Sequence, residues 1–246
     1  KKVYGSQGAS MTFSIDPAIF EKFPTVEIGV IFITGMDNHG RDREMLSLLR
    51  TEESRQKDLL TGRELGSLPE VAAWREIYRA FGSSKDYRSS VESLLRRVRA
   101  GTKPLPQINN LVDLYNYLSL RFHIPAGAED MDKITGDITL TFADGTEKGI
   151  CLGSEVEETC YPGEVIYKDD LGFICRRWNY READRTKIEE STANAVLVLE
   201  RVPAVPEATF LEALTQARTL ITGHLKGLCT VHRLTPKEPS CAFEKI

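Results

Sequence analysis

The sequence predicts an α+β fold in which a helical N-terminal half packs on mixed and antiparallel β-sheets. Two observations carry that reading. Apolar residues recur at helical spacing through most of residues 43–122, and from residue 137 the pattern changes to short alternating runs punctuated by Asp-Gly and Gly turns. Helices grouped before strands, with no Pro-, Gly- or Ser-rich boundary between them, imply α+β layers on one core. The chain has 246 residues, 41% of them hydrophobic and 28% charged. A chain of that size and composition buries a core without metal or disulfide staples, and it is neither disordered nor fibrous.

Asp16-Pro17 reads as the cap and first position of a short helix over residues 18–23, stopped by Pro24. Residues 26–34 are a continuous apolar run, hence a buried strand. Helices follow over residues 43–60, from Pro69 to Phe81 (stripe Val71, Trp74, Ile77, Tyr78), and over residues 88–99 and 110–122. Strands are expected at residues 137–142 and 148–152 about the Asp144-Gly145 turn, at 164–168 and 173–178 about Leu171-Gly172, and at 195–202. An amphipathic helix over residues 208–225 closes the series. The expected organisation is an integrated N-terminal extension over residues 1–66, a main domain over 67–226 and a C-terminal tail over 227–246.

No apolar run reaches the roughly 20 residues of a membrane span, and Lys1 to Gly8 lack the apolar core of a secretory signal. Met11 reads as a start preceded by an appended leader, and the expected location is cytoplasmic. The five cysteines are scattered, with no Cys-x-x-Cys pair and no histidine at zinc spacing, so free thiols are expected and neither metal nor cofactor. Phosphate-loop, dinucleotide, serine-elbow and zincin motifs are absent.

The formal charge of −4 conceals two basic stretches. Between Arg75 and Lys103 eight basic residues stand against three acids, and between Lys168 and Lys187 six against four, leaving −11 for the rest. Either stretch is able to follow a phosphate backbone, and either is equally readable as a solvated face of internal ion pairs. In the second, Arg176 and Arg177 precede Trp178, Asn179, Tyr180, Arg181, Glu182, Asp184 and Arg185. Continued strand alternation would put Arg176 with Trp178 and Arg177 with Asn179, a mixture of stacking planes and hydrogen-bonding groups suited to an RNA end or to a structural network. Asn109 or Asn110 caps the helix at 110–122, and Asn109, Asp113 and Asn116 share one of its faces at spacings of three and four.

The run Pro-Gln-Ile-Asn-Asn-Leu-Val-Asp-Leu-Tyr-Asn-Tyr at 106–117, followed by Ile-Pro-Ala-Gly-Ala-Glu-Asp-Met-Asp-Lys-Ile at 124–134 and the strand at 137–142, resembles the B3/B4 domain of the phenylalanyl-tRNA synthetase beta subunit. That family reads I-N-N-x-V-D-x-x-N-Y, then Q-P-x-H-A-F-D, then a strand into a Gly-Glu hairpin. Weaker matches continue to Glu200; the first 65 residues and the closing helix carry no motif of it. Without the remainder of a beta subunit, the chain reads as a free-standing member.

The resemblance implies binding of an aminoacylated tRNA 3′ end and hydrolysis in trans of a mischarged ester, without metal or covalent nucleophile. It puts the family's editing asparagine on Asn116. Tyr115 stands where the family has threonine, and Gly127 where it has histidine. The editing glutamate falls nearest Glu182, with Asp184 or Arg185 under other gap placements. Arg176, Arg177 or Arg181 is expected to grip a phosphate or the ester, Asn109 and Asn116 to line the pocket, and Glu182 or Asp184 to meet an ammonium or orient water. Asn110, Asp113, Asn179 and Arg185 complete the expected binding set. Three readings follow: a deacylase, a non-catalytic tRNA- or RNA-binding module, and a binder of amino-acid-like small molecules. The aminoacylation machinery of a synthetase is not in these residues.

Overall fold

The computed structural model describes residues 10–244, so the leader reading of Lys1 to Gly8 lies outside the described residues. The chain runs β1 (Ser10–Ile15), α1 (Pro17–Lys22), β2 (Glu27–Thr34), α2 (Arg43–Leu60), α3 (Pro69–Ala80), α4 (Ser90–Ala100), α5 (Asn110–Phe122), β3 (Ala126–Asp130), β4 (Ile138–Phe142), β5 (Lys148–Ile150), β6 (Glu157–Thr159), β7 (Val165–Asp169), β8 (Gly172–Arg176), β9 (Arg181–Glu182), β10 (Ala195–Arg201), α6 (Glu207–Leu220), β11 (Leu228–Leu234) and β12 (Ser240–Glu244). The architecture is α+β. One sheet is mixed, in the order β12-β1-β4-β7-β8-β9 with β1 and β4 parallel; a second, β11-β2-β10-β3, is antiparallel throughout.

Local chemistry accounts for the helix starts. Asp16 accepts from the Ala18 amide at 2.9 Å with Pro17 at the first position, Asp42 accepts from Met45 at 2.9 Å, and Asn109 from Val112 at 3.1 Å. Each capping oxygen satisfies a backbone donor with no partner inside the helix. Helix α4 ends on Gly101 in the left-handed region, where glycine carries no steric cost. Helix α5 is the hub of the helical layer, packed against α2, α4, α6 and β3, and Leu111, Leu114, Leu118 and Leu120 on it are fully buried.

Strands β1, β11 and β12 fall where helix caps or a tail are expected from sequence. Ser10–Ile15 and Ser240–Glu244 do alternate exposed or half-buried with buried residues, as edge-region strands do, and they pair with each other from Ser10↔Glu244 to Ser14↔Ser240. The closing helix ends at Leu220 and continues as one π-helical turn over 221–225.

A buried aromatic contact ties the helical layer to the mixed sheet, and a buried ion pair braces the strands beside it. Trp178, fully buried, meets Trp74 of α3 edge-on at 5.4 Å between centroids, and Phe23 at 5.2 Å. Beside it, Arg176 is buried against an equally buried Glu164, with Nε to Oε1 at 3.0 Å and Nη2 to Oε2 at 2.8 Å, and it also bonds Glu158 and the Thr159 carbonyl. Removing one partner of such a pair strands the other in a low-dielectric interior, which costs more than the pair itself contributes. Arg176→Met is therefore expected to lower unfolding free energy by about 3–5 kcal/mol, read from urea denaturation; a loss below about 1 kcal/mol would show the pair to be solvated.

Candidate functional site

A cavity of about 680 Å³ opens between the two sheets, walled on its third side by α4 and α5. Sheet register decides what it contains. Across β7, β8 and β9 the partners Tyr167↔Cys175 and Cys175↔Glu182 form one cross-strand row, and all three line the cavity. On the opposite sheet Val198 pairs with Gly127 and Val196 with Glu129, and alternation along β10 brings Val196, Val198 and Glu200 to the same side. Helix α5 adds Val112, Tyr115 and Asn116.

The floor is acidic. Glu129 is buried, and its Oε2 accepts from Thr186 Oγ1 at 2.5 Å. Glu200, also buried, accepts from the Tyr167 hydroxyl at 2.5 Å and from Asn179. Glu182 is half-buried, and its carboxyl has no hydrogen-bond partner among the described residues. Burial alone pushes Glu182 up to about 7, and burial likewise holds Glu200 at about 7 against the opposing bonds of Tyr167 and Asn179. Burial and the Glu182 charge raise Glu129 well above the usual carboxylate range. The Cys175 thiol is raised well above its ordinary value by burial and by the three carboxyls, so it is no thiolate nucleophile. Among the described residues no group of three or more His, Cys, Asp or Glu side chains is placed to hold a metal ion.

The rim is basic. Arg88, Arg96, Arg97 and Arg181 line the mouth with Asp86 as the exposed acid among them, and none of the four arginines makes an ion pair among the described residues. Arg181 donates to the Leu152 carbonyl at 3.0 Å. The turn that carries Asn179 to Glu182 is held in an uncommon conformation, with Arg177 at φ 44° and Trp178 at φ 64°, both left-handed. Two consecutive non-glycine residues there persist only when packing over-determines them. Burial of Trp178 does so, together with the Arg177 carbonyl accepting from Tyr78 at 2.6 Å, the Arg177 amide donating to Glu164 at 3.0 Å, and the Arg177 guanidinium 3.6 Å from the Tyr87 ring centroid.

A protein-family model described as the B3/4 domain matches residues 73–219, which carry α4, α5, β3, the β8–β9 turn and β10. The chain belongs to the B3/4 domain family. Among curated proteins it is similar to the phenylalanine–tRNA ligase beta subunit of Fusobacterium nucleatum, 34% identical over 84 residues that make up 34% of this chain and 10% of that one. It is also similar to the beta subunit of Corynebacterium jeikeium, 29% identical over 138 residues, 56% of this chain and 14% of that one. The matches thus span about a tenth to a seventh of those relatives' length. Among solved structures, an N-terminal fragment of the phenylalanyl-tRNA synthetase beta subunit from Pyrococcus horikoshii aligns over 94% of this chain and 56% of its own, with 14% identity and a TM-score of 0.45.

Within this B3/4 domain the structure brings together Asn116, Asn179, Arg181 and Glu182 of the residues singled out from sequence. The others lie elsewhere. Arg176 is consumed by Glu164 and Glu158. Arg177 is stacked on Tyr87 behind the turn, and Arg185 is paired with Asp169. Asp184 bonds Lys187 at 3.0 Å. Asn109 spends its oxygen on the α5 cap and its amide on the Ile188 carbonyl at 3.2 Å; Asn110 bonds the Asp42 amide and the His39 carbonyl; Asp113 accepts from the Ile108 amide at 3.3 Å. The expected polar face of α5 therefore divides, with Asn116 at the cavity and the rest fastening the helix start. The expected pairing of Arg176 with Trp178 on one face fails because the strand ends at Arg176 and the left-handed residues redirect the chain.

Glu129 and Glu200 were not singled out from sequence, whereas the rim arginines Arg88, Arg96 and Arg97 belong to the first basic stretch, Arg75 to Lys103, though not to the expected site set. The signal for the two glutamates was a charge inside a strand-like apolar run, Glu200 after Val196 and Val198 above all. Gly127 has a structural counterpart to its departure from the family motif: a Cβ there would stand 3.0 Å from Glu182 Oε1, so the glutamate carboxyl occupies the space over the glycine.

The raised value of Glu182 has a consequence for stability. An unfolded glutamate ionises near 4.3 and the folded one near 7, so the folded state holds the extra proton between those values and loses stability as pH rises through them. Glu182→Gln removes that contribution. Its stability relative to the parent, from urea midpoints, is expected to be higher at pH 8 than at pH 5; an unchanged difference would mean that the carboxyl is solvated.

Proposed function

We propose that the cavity binds the aminoacylated 3′ end of a tRNA and hydrolyses the ester of a mischarged amino acid. The observation that carries this reading is the juxtaposition of a half-buried carboxyl without a hydrogen-bond partner, Glu182, with a mouth of four arginines outside any ion pair. An aminoacyl-tRNA end has the complementary pattern, with phosphates outside and an acylated ribose within. The relatives, being tRNA ligase subunits, support the same reading.

In this reading Arg88, Arg96, Arg97 and Arg181 hold the terminal phosphates. Asn116, whose amide has no hydrogen bond among the described residues, donates to the oxygen that becomes anionic. Glu182 takes a proton from water as the water oxygen bonds to the acyl carbon. Collapse of the tetrahedral species breaks the carbon–oxygen bond to the ribose, and the proton leaves with the ribose oxygen. A base near neutrality is matched to that task. The amino acid and the tRNA are released separately, and the same reading locates the activity in the cytoplasm.

Deacylation of a panel of mischarged tRNAs tests this. At least one is expected to be cleaved faster than the spontaneous rate, with Glu182→Gln lowering that rate by about 10²-fold or more while binding persists. Replacing Arg96 and Arg97 together with alanine is expected to weaken tRNA binding and flatten its salt dependence by about 0.7 logarithmic unit for each phosphate no longer neutralised. Tight, salt-dependent tRNA binding with no acceleration on any ester would leave a binding module in place of a hydrolase.

A further inference from the structure

Strand β3 presents one face to the cavity, and the alternation of a strand puts Gly127 and Glu129 on it, with Ala128 buried on the other. Glu182 reaches over that face from β9. Its Oε1 lies so close above Gly127 that any side chain at this position would crowd it. Glycine therefore makes room for the carboxyl of one strand to lie along the wall that holds the carboxyl of the other.

We propose that Glu129 is a positioning residue for Glu182, the two carboxyls holding a single negative charge between them, with the proton on Glu129 and the charge on Glu182. The assignment deepens the hydrolase reading and rests on it for its catalytic consequence. Two like charges on one buried wall disfavour each other's ionisation, and no basic side chain pairs with either carboxyl among the described residues.

The asymmetry follows from position. Glu129 is the deeper, 7% exposed, with a single hydrogen bond from Thr186; Glu182 is half-buried on the path to the mouth. The groups facing the pair do not reverse it. From α5 and β8 the Tyr115 hydroxyl and the Cys175 thiol are both held neutral by burial, and each carboxyl adds to that effect. Arg185 attracts a charge on Glu129, but Asp169, to which it is bonded, repels one. Glu200, on β10, has one oxygen on Tyr167 and the other on Asn179. Burial and the neighbouring charge then keep Glu129 protonated while Glu182 ionises near neutrality. The outcome is a carboxylate able to take a proton from water beside a neutral acid able to donate a hydrogen bond.

A carbon-13 titration of the glutamate side-chain carboxyls, in the full chain without tRNA, tests the assignment. Signals are identified by their loss in Glu129→Gln and Glu182→Gln. Glu182 is expected to titrate near neutrality and Glu129 above it; in Glu182→Gln the Glu129 step should move down, because its like-charged neighbour is gone. Glu129 titrating at or below Glu182, or keeping its midpoint in Glu182→Gln, overturns the proposal. Should Glu182→Gln fail to fold, the order of the two steps in the parent decides. The measurement involves no ester cleavage. Expected titrations with no deacylation would sink the hydrolase and leave the carboxyl pair, whereas deacylation with independent titrations would do the reverse.

Discussion

Trp178 is the side chain on which the site depends. It is fully buried, between Trp74 of the helical layer and Phe23 after the first helix, yet its backbone stands in the left-handed region next to another residue that does the same. Burial of an aromatic side chain of this size contributes roughly 2–3 kcal/mol, comparable with the cost of one or two strained backbone residues. The strain is thus held by packing, and what it accomplishes is a reversal of the chain immediately after a buried arginine. Without that reversal, Asn179 and Glu182 would not face β3 and β10.

The anchoring charges and the site charges are kept apart by their partners. Arg176, Arg185 and Arg75 are each fastened to a buried acid, Glu164, Asp169 and Glu92, and behave as structural cross-braces. Arg88, Arg96 and Arg97 are left facing the mouth, while Glu182 is left facing the interior. Basic side chains outside any ion pair are thus gathered at the mouth although the chain as a whole is acidic.

Much of this was legible in the residues. Periodicity located α2 and α5 through their apolar stripes, and one of the two asparagines expected to cap α5, Asn109, does so, whereas the Asp42 cap of α2 came only with the structure. The family motif led to Asn116 and Glu182. What periodicity does not carry is partner choice: an arginine that will be buried against Glu164 and one that will face a cavity look alike until the sheet register is known. The same limit hid β11, whose residues are mostly exposed or half-buried on an edge and therefore lack a clear apolar alternation. It also hid Glu129, which a one-residue change of register would have turned away from the cavity.

Gly127 and Glu129, which stand where the motif has histidine and phenylalanine, share the cavity-facing side of β3. A histidine at 127 would need the volume that the Glu182 carboxyl now fills, and a carboxylate brought that close to β3 without a cation requires a neighbour that is neutral or able to become so. Phenylalanine at 129, as in the motif, would be neutral but could offer no hydrogen bond. Glutamic acid kept protonated by burial offers both. The absence of a side chain at Gly127 and the approach of Glu182 over it therefore go together.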